Sequence, residues 1–584
     1  MTKLLKLFRY LKAKEWLFFL FSLVFVCIQV VLDLMIPDYM SQITTLIETQ
    51  GSAIGDVWSA GGMMLLCALG SLVSSVAVCF FASRIAAAFS RRLRKEMFDK
   101  VSSFSLEEIN AFSTSSLITR STNDVSQVQM MVVLSLQVVV KAPLMAVWAI
   151  MKIANKAWQW SLATALAVVL LVVILGFAVK FTFPRFRKMQ WLQDALNQSA
   201  RENLTGIRVV RAYNAEEYQE KKFEKANTDL LENSLYANRT MTLLTPFMSL
   251  VMNCLNMSIY WIGAVLISAA PVAAARVGIF ADMIVFMSYA MQVIMSFIMI
   301  VMVIIIAPRA LEAAKRISEV LETRPKVVSG SVTGSGDTLG TVEFKNVSFT
   351  YPGGSGSVLS DISFKADRGE TVAFIGSTGS GKTTLVNLIP RFYDVSGGEV
   401  LVDGINVKDY DLETLYAKIG YVSQKAVMFT GSIEENVAFG NNADRDRIGE
   451  ALEISHSDFV SELEDGVQAH MARGGTNFSG GQKQRLSIAR ALCRDAEILI
   501  FDDTFSALDF KTDRQLRDAL REKTAGQTKL IVAQRIGTIM SADRIVVLDE
   551  GRVAGIGTHR QLLSSCEVYR QIALSQLSEE ELAI

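Results

Sequence analysis

Histidine and cysteine are rare in this sequence, and neither positive nor negative charge is in excess. The 584 residues include three histidines and six cysteines, and the cysteines are scattered without the spacing of a metal-binding or redox motif. The cysteines therefore predict neither a disulfide framework nor a cysteine-bound metal site. Lysine plus arginine equals aspartate plus glutamate, at 58 each, so the net charge gives no reason to expect a nucleic-acid partner.

Long apolar runs are abundant instead. Hydrophobic residues make up 51% of the chain and the mean hydropathy is positive, which is high for a soluble protein. At this length a single core is not expected, so we predict several domains. Six stretches are long enough to cross a bilayer, each about 20 residues or more. They lie near residues 16–37, 58–82, 130–153, 158–179, 243–269 and 280–307.

The distribution of basic residues places the two long connections between these spans in the cytoplasm. Residues 84–128 and 180–240 are rich in lysine and arginine, whereas residues 38–57 contain neither. Both long connections keep helical periodicity, so the membrane helices are expected to continue well beyond the bilayer. Their turning points, near residues 106–110 and 211–216, are predicted to touch a soluble domain, and the alternative is two solvated corners.

A few polar features within or beside the spans carry further predictions. Residues 3–14 form either a basic amphipathic helix at the membrane surface or a flank that sets topology, and both place the N-terminus in the cytoplasm. No small-residue cleavage pattern follows the first span, so no cleavable signal peptide is expected. Asp33, Lys141 and Asp282 are ionisable groups within spans, where charge is costly. Lys141 is the better candidate for a cavity-lining charge, because Asp33 and Asp282 could lie at interface depth. Methionines crowd the last two spans, which suits either a pliable substrate wall or ordinary packing.

The composition changes after the last span. A charged helical stretch, Arg309–Glu322, leaves the membrane, and the Gly/Ser-rich segment Ser329–Gly336 predicts a flexible linker. Short β-type runs then alternate with helical runs, which is typical of an α/β domain. The predicted domains are a transmembrane domain at 1–322, a linker at 323–340 and an α/β domain at 341–584.

The second half contains a phosphate-binding loop of the pattern G-x-x-x-x-G-K-[ST]. An apolar run at residues 371–375 precedes it as a candidate buried strand, and a helix-compatible run follows. Glycines let backbone N–H groups point at phosphate oxygens, Lys382 is expected to reach the β- and γ-phosphates, and the Thr383 hydroxyl is expected to bind Mg²⁺. A plain glycine-rich turn is the alternative. The predicted ATP-binding residues here are Gly376, Ser377, Thr378, Gly379, Ser380, Gly381, Lys382, Thr383 and Thr384.

Four further stretches have chemistry that suits the same nucleotide. Tyr351 precedes the loop and its ring can stack on adenine. Gln424 follows a strand and could reach Mg²⁺ or the attacking water, and Asp502 ends an apolar strand where a carboxylate suits Mg²⁺ bound through water. Ser479-Gly480-Gly481-Gln482 opens a helix and makes a second anion-binding surface. One chain cannot easily aim that surface and its own phosphate loop at the same phosphate, so a partner chain is implied.

Together these stretches resemble the nucleotide-binding domain of ABC transporters, with phosphate loop, Q-loop, signature, Walker B strand and the D-loop Ser506–Asp509. With six spans in front, the chain resembles a half-transporter of the type IV exporter architecture. The resemblance implies a six-helix all-α transmembrane domain with long cytoplasmic extensions, fused to an α/β P-loop nucleotide-binding domain. It also implies a plasma-membrane dimer with two ATP molecules, each held between one chain's phosphate loop and the other chain's signature, and transport by alternating access. Importers normally keep these parts on separate chains, so the fusion favours export.

The sequence departs from the family pattern at catalytic positions. Asp503 stands where the family has a glutamate that polarises the attacking water, and Gln534 stands where it has a histidine. Arg473 replaces a glutamate just before the signature. Losing a methylene draws a carboxylate back by about a bond length, and a 1 Å misplacement can cost roughly a hundredfold. An amide cannot supply the charge stabilisation of an imidazolium.

These departures resemble the degenerate half of bacterial heterodimeric multidrug exporters. The resulting hypothesis is a site that binds ATP but hydrolyses it poorly, with Asp503, Gln534 and Gln424 in the catalytic positions. An intact signature then completes a competent site on a partner that carries the glutamate and the histidine. A hydrophobic or amphipathic drug, lipid or peptide is the expected cargo. The alternatives are a slow homodimeric exporter that uses Asp503 as its base, and a regulatory subunit that senses ATP.

Overall fold

The computed structural model describes residues 6–48, 53–154, 157–336, 338–441 and 443–578. These residues form two compact units. The first contains the chain up to Lys100 and Ser115–Glu322, and the second contains Val101–Thr114 and the chain from Thr323 onward. The first cytoplasmic turning point therefore belongs to the same compact unit as the second half of the chain.

Within the described residues, the chain up to Glu322 is helical apart from short turns. They are α1 (Ala13–Glu48), α2 (Ile54–Ser102), α3 (Leu106–Phe112, in the second unit), α4 (Thr114–Ala154), α5 (Trp158–Thr205), α6 (Ile207–Ala212), α7 (Glu216–Ala269) and α8 (Ala273–Glu322). Within the described residues six of them, α1, α2, α4, α5, α7 and α8, are long and apolar enough to cross a membrane, which confirms the six predicted spans. With 54 residues, α7 is about 80 Å long at 1.5 Å per residue, far more than a bilayer core requires. The predicted helical extensions are therefore present.

The core of the first unit forms where α5, α7 and α8 approach closely. The Trp160 indole is buried, donates a hydrogen bond to the Ile259 carbonyl at 3.2 Å, and lies 5.4 Å from the Phe286 ring. A Cβ at Gly263 would come within 2.3 Å of the Met283 sulfur, so glycine is what lets α7 pack against α8 here.

Two of the charged residues predicted within the spans, Lys141 and Asp33, pair with each other. Lys141 Nζ lies 3.2 Å from Asp33 Oδ2, and Ser71 donates a hydrogen bond to the same carboxylate. Lys141 also lines a cavity of about 110 Å³ with Met291, Met295 and Met299. The prediction of Lys141 as a cavity-lining residue is thus right, but its charge is shared with Asp33, because an unpaired charge at this depth is costly. The side chain of Asp282, on α8, is half-buried.

A second polar cluster in the spans has no counterpart in the sequence predictions. Asp38 accepts a hydrogen bond from the buried Tyr289 hydroxyl at 2.6 Å and pairs with Lys152 at 2.6 Å. It joins α1, α4 and α8.

The second unit is built on parallel strands. Its strands are β1 (Val342–Phe349), β2 (Leu359–Ala366), β3 (Thr371–Gly376), β4 (Gly397–Val402), β5 (Ile405–Asn406), β6 (Ile419–Val422), β7 (Gly431–Ser432), β8 (His470–Met471), β9 (Ile498–Asp502), β10 (Thr528–Val532), β11 (Arg544–Asp549) and β12 (Arg552–Gly557). One sheet has the order β12-β11-β3-β10-β9-β6, parallel except for β12, and a second, antiparallel sheet has the order β2-β1-β4-β5. All five residues of β9 are buried, as expected for an apolar strand in the middle of a parallel sheet. The predicted α/β domain is confirmed.

Helices flank these sheets. They are α9 (Lys382–Leu388), α10 (Leu412–Ala417), α11 (Ile433–Ala438), α12 (Arg445–Ile454), α13 (Gly480–Cys493), α14 (Phe510–Lys523), α15 (Ile536–Ile539), α16 (His559–Ser565) and α17 (Glu567–Leu574). The phosphate loop runs from β3 to α9, which is the strand–loop–helix arrangement that its sequence predicts.

The Gly/Ser-rich segment Ser329–Gly336 is not a flexible linker. The Gly330 amide donates to the Tyr410 carbonyl at 2.8 Å, and the Val332 amide donates to the Asp409 carbonyl at 2.9 Å. A Cβ at Gly336 would come within 1.9 Å of the Asp403 carbonyl oxygen. Here the glycines permit close approach of two backbones, a role that composition does not distinguish from flexibility.

The first cytoplasmic turning point, α3, contacts the second half of the chain as predicted. Ser105 and Glu108 form a capping box at its N-terminus. The Asn110 side chain donates to the Tyr393 hydroxyl at 3.2 Å, and Lys326 pairs with Glu107. The second turning point lies in the first unit, where Arg211 pairs with Glu216 at 2.7 Å. Its contact with a soluble domain stays a prediction.

Candidate nucleotide-binding site

The phosphate loop is shaped by glycines that no other residue could replace without strain. Gly381 has φ 95°, and a Cβ there would lie 2.6 Å from the Leu359 side chain. A Cβ at Gly376 would lie 2.1 Å from the Leu548 carbonyl oxygen of the neighbouring strand β11. The loop backbone therefore lies close against the sheet and leaves its other side open.

Lys382 is folded into the loop. Its ammonium donates to the carbonyls of Gly376 at 2.9 Å and Ser377 at 2.8 Å. Burial lowers the pKa of this ammonium, and the nearby carboxylates of Asp503 and Asp502 oppose that shift. An anion beside Lys382 would stabilise its charged form, so the loop favours a phosphate group.

Two side chains whose oxygen atoms could bind a metal ion, Thr383 and Asp502, meet beside the loop. The Thr383 hydroxyl donates to Asp502 Oδ1 at 2.9 Å. Burial raises the pKa of Asp502, and the hydrogen bond from Thr383 works against that increase. A hydroxyl and a buried carboxylate side by side are the oxygen ligands that Mg²⁺ prefers, and a divalent cation would offset the cost of burying the carboxylate.

Three loops converge on the Asp503 carboxylate. Asp503 Oδ2 accepts one hydrogen bond from Gln424 Nε2 at 3.0 Å and another from Gln534 Nε2 at 2.7 Å. Asp503 is 7% exposed and has φ 47°, a left-handed conformation that is uncommon for aspartate. The three residues predicted separately for catalysis thus form one hydrogen-bonded cluster.

This cluster and the phosphate loop share a cavity of about 370 Å³. The residues that line it are Val358, Thr378, Gly379, Gly381, Lys382, Thr383, Thr384, Gln424, Asp503, Val532 and Gln534. Such a volume and a convergence of polar groups are typical of a small-molecule site.

Tyr351 lies beside the loop rather than in the lining of this cavity. Its hydroxyl is 2.9 Å from the Thr384 hydroxyl, and its ring packs edge-to-face on Tyr393 at 5.4 Å. Its predicted stacking on adenine stays a prediction.

The signature residues stand at the N-terminus of α13. The backbone N–H of Gln482 donates to Ser479 Oγ at 3.2 Å, and the side-chain oxygen Oε1 of Gln482 accepts from the backbone N–H of Ser479 at 2.8 Å. Ser479 and Gly480 are exposed, and a Cβ at Gly480 meets no heavy atom within 4 Å. In the described part of the chain, the residues 479–482 do not line the cavity of the phosphate loop. Arg473, in the preceding turn, is also exposed.

Arg490 is a residue that the sequence predictions missed. From α13 its guanidinium donates to the carbonyls of Asn436 at 2.8 Å and Val427 at 2.9 Å. Burial lowers its pKa to about 10. Arg490 therefore joins the signature helix to the segment that follows Gln424, and only its position on the buried face of an amphipathic helix could have suggested this.

Comparisons with known proteins agree with this arrangement. Residues 19–297 match the ABC transporter transmembrane region, and residues 359–506 match the family described as ABC transporter. An uncharacterized ABC transporter ATP-binding protein of Mycobacterium tuberculosis is 38% identical over 560 residues, 92% of this chain and 93% of the relative. Another, from Bacillus subtilis, is 36% identical over 90% of each chain. An ATP-dependent lipid A-core flippase of Pseudomonas fluorescens is 31% identical over 84% of this chain and 81% of the flippase.

A solved structure supports the fold. A bacterial Atm1-family ABC exporter with ATP bound superposes with a TM-score of 0.80 at 24% identity, covering 96% of this chain and 98% of that one. Fused membrane and ATP-binding parts, with six candidate spans, make the protein a multi-pass plasma-membrane half-transporter of the type IV exporter architecture, with its ATP-binding domain in the cytoplasm. The chain belongs to the ABC transporter family, and it is an ATP-hydrolysing transporter subunit.

Proposed function

We propose that this chain is one half of a heterodimeric ABC exporter. Its own ATP site binds nucleotide and hydrolyses it poorly, while its signature, Ser479 to Gln482, completes a competent site on a partner chain with glutamate and histidine at the catalytic positions. The domains in this proposal are the transmembrane domain 1–322, the connection 323–340 and the nucleotide-binding domain 341–584.

The observation that carries the proposal is the double hydrogen bond to Asp503. A general base must offer a lone pair to the proton of the attacking water. Asp503 Oδ2 already accepts N–H donors from Gln424 and Gln534, at 3.0 and 2.7 Å, so only the second carboxylate oxygen is left to take the proton. Its side chain is also one methylene shorter than glutamate, and a displacement of about 1 Å costs roughly a hundredfold in rate. One of the two N–H groups of the Gln534 amide is directed at Asp503 rather than at a phosphate oxygen.

The residues that are proposed to bind the nucleotide are present in the site. Lys382 is available for the β- and γ-phosphates, and Tyr351 for the adenine ring. Thr383 and Asp502, 2.9 Å apart, are the residues that would hold Mg²⁺, which neutralises phosphate charge when bound. ATP bound without rapid hydrolysis would keep the two nucleotide-binding domains associated, while turnover at the partner's site drives alternating access.

The cargo that fits this proposal is hydrophobic or amphipathic. Lys141, neutralised by Asp33, lines a cavity among Met291, Met295 and Met299, and thioethers adapt to varied apolar shapes. A second candidate is a slow homodimeric lipid exporter with Asp503 as its base, which the 31% identity to an ATP-dependent lipid A-core flippase favours. A third candidate, which the altered cluster around Asp503 also supports, is a regulatory subunit that senses ATP.

Two substitutions in this chain separate these functions. In the heterodimer, Gly480→Asp damages the site on the partner, and it does not disturb the fold of this chain because a Cβ at Gly480 meets open space. Asp503→Asn alters only this chain's own site. We expect Gly480→Asp to lower the ATPase rate of the complex purified from its native membrane by about a hundredfold or more, because it places a carboxylate at the anion-binding N-terminus of α13, where it would repel the phosphates. Asp503→Asn should change it less than about twofold.

A homodimer gives a different result, because every site then contains both substitutions. Each variant would abolish hydrolysis to the same degree. Loss of activity in Asp503→Asn as complete as in Gly480→Asp therefore contradicts the heterodimer proposal and favours the second candidate. A regulatory subunit would leave the transport rate insensitive to Gly480→Asp.

A further inference from the structure

The turn that carries Gln534 is held by a residue near the end of the described chain. Gln576 follows α17, and its amide group bridges both ends of the turn. Gln576 Nε2 donates to the Gln534 carbonyl at 2.8 Å, and Gln576 Oε1 accepts from the Ile536 amide at 2.8 Å. The Gln576 amide thus accepts from the Ile536 N–H, which the first turn of α15 leaves without a partner in the helix, and it donates to the carbonyl of Gln534 just before the helix.

The position of Gln576 is fixed by the core rather than by the turn. On α17 the Tyr569 and Ala573 side chains are fully buried, and the helix packs against β3 and β11. The Tyr569 hydroxyl lies 2.6 Å from His559 Nδ1, which ties α17 to α16. Gln576 lies in the turn directly after this packed helix, where its own backbone N–H donates to the Ala573 carbonyl at 3.0 Å.

The other side of the turn is held by the D-loop. Arg535 donates to the Ser506 carbonyl at 3.2 Å, and its guanidinium lies 5.2 Å from the centre of the Phe510 ring. Gln534 then projects between these two supports and donates to Asp503 at 2.7 Å. A chain of contacts consequently runs from Gln576 through the backbone of the turn to the carboxylate in the ATP cavity.

We infer that Gln576 is a positioning residue of this ATP site, which holds the Gln534 turn so that Gln534 and Asp503 close over the bound nucleotide. The inference rests on the proposed function only in that this chain's own site binds ATP. Gln576 then influences the nucleotide through the Gln534 turn. When the hydrogen bonds of Gln576 to the turn are lost, the cover formed by Gln534 loosens and the nucleotide leaves faster.

The test measures release of a fluorescent ATP analogue, in the presence of Mg²⁺, from the purified full chain and its variants. We expect Gln576→Ala to speed release about three- to tenfold, as loss of one or two hydrogen bonds would. The matched control is Gln571→Ala on α17, the helix that Gln576 follows; the Gln571 side-chain amide contacts only Glu567, at 3.1 Å, among the described residues. The control should release the analogue at the wild-type rate, and both variants should keep the wild-type melting temperature without nucleotide.

A third variant separates positioning from mere folding. Gln576→Glu keeps an acceptor for the Ile536 amide but loses the donor to the Gln534 carbonyl when the carboxylate is ionised. Protonation restores a donor, so its release rate should fall back toward the wild-type rate as the pH decreases toward about 4.5, the ordinary range of a glutamate. Gln576→Ala should show no such recovery.

The outcomes are distinguishable. Equal release rates for Gln576→Ala and Gln571→Ala, or a pH profile of Gln576→Glu parallel to that of Gln576→Ala, would overturn the inference. A common fall in the melting temperature of both Gln576 variants without a change in release would assign Gln576 a structural role only. A wild-type chain that does not bind the analogue at all would contradict the proposed function instead.

Discussion

Restoring the family residues around Asp503 should convert a poor hydrolytic site into a working one. The variant Asp503→Glu plus Gln534→His lengthens the carboxylate by about a bond length and replaces the amide with an imidazole. In the wild type, Gln534 Nε2 and Asp503 Oδ2 are 2.7 Å apart, so the two side chains fit each other. A repositioned base is worth about 10²–10⁴ in rate, and we expect the double variant to gain at least about a hundredfold at this site.

The two single variants should gain much less than the double variant. Asp503→Glu alone pushes the carboxylate into the space of the Gln534 amide, and Gln534→His alone leaves the short carboxylate in place. Residues in direct contact are coupled, so the gains should not add. A double-mutant cycle of the rates measures this coupling.

The assay must isolate this site from the partner's site. In the Gly480→Asp background the competent site on the partner is silenced, and phosphate released in a single turnover then reports the site of this chain alone. Adding Lys382→Ala should abolish the gained activity, because it removes the ammonium that reaches the phosphates. Single variants that together account for the full gain, or a double variant no faster than wild type, would refute the idea that Asp503 and Gln534 act as one inhibitory unit.

Three further predictions concern binding and stability. Burial raises the pKa of the Asp502 carboxyl, so its protonated form is favoured in the folded chain. The stability that this shift contributes is fully present below the ordinary pKa of about 4, and it is lost as the pH rises through the raised pKa. Asp502→Asn should therefore melt at an equal or higher temperature than wild type without nucleotide near neutral pH, yet lose stabilisation by Mg²⁺ and ATP; a lower melting temperature at every pH would contradict this. Tyr351→Ala should weaken ATP binding about tenfold, whereas Tyr351→Trp should retain it, as measured by equilibrium titration with a fluorescent analogue, and equal affinities for both would remove the stacking role. Arg316→Met removes the guanidinium that lies 2.6 Å from the fully buried Asp124 carboxylate, and it should lower the free energy of unfolding by about 3 kcal/mol. The double variant with Asp124→Asn should recover stability, because no buried charge is then left unpaired. An unchanged melting temperature in Arg316→Met would show that the pair is dispensable.

The membrane spans and the phosphate loop could be predicted from sequence because each is a local pattern. The spans follow from uninterrupted apolar length, and the loop follows from glycines, Lys382 and Thr383 at fixed offsets. The place of Asp502 at the end of a strand was also predictable, since it ends an apolar run that forms the buried β9, while its role with Mg²⁺ stays a prediction. For each of these, neighbouring residues carry all the information that is required.

Features that depend on contacts between distant segments were not predictable. The double hydrogen bond to Asp503 requires Gln424 and Gln534 to converge from two other loops, and the support of the turn by Gln576 spans about 40 residues. The docking of Ser329–Gly336 on the nucleotide-binding domain was missed because glycine serves both flexibility and close approach. The partner of Lys141 was missed because pairing within a bundle depends on helix rotation, which apolar length does not determine.

The most direct test of the heterodimer account is the ATPase activity of the purified chain alone, in lipid or detergent, with a size measurement on the same sample. The account predicts that the chain alone is essentially inactive or does not dimerise, while addition of a partner that carries glutamate and histidine restores hydrolysis. A dimer of this chain alone with robust ATPase activity that Lys382→Ala abolishes would contradict the account, and it would identify a homodimeric exporter that works with Asp503 as its base.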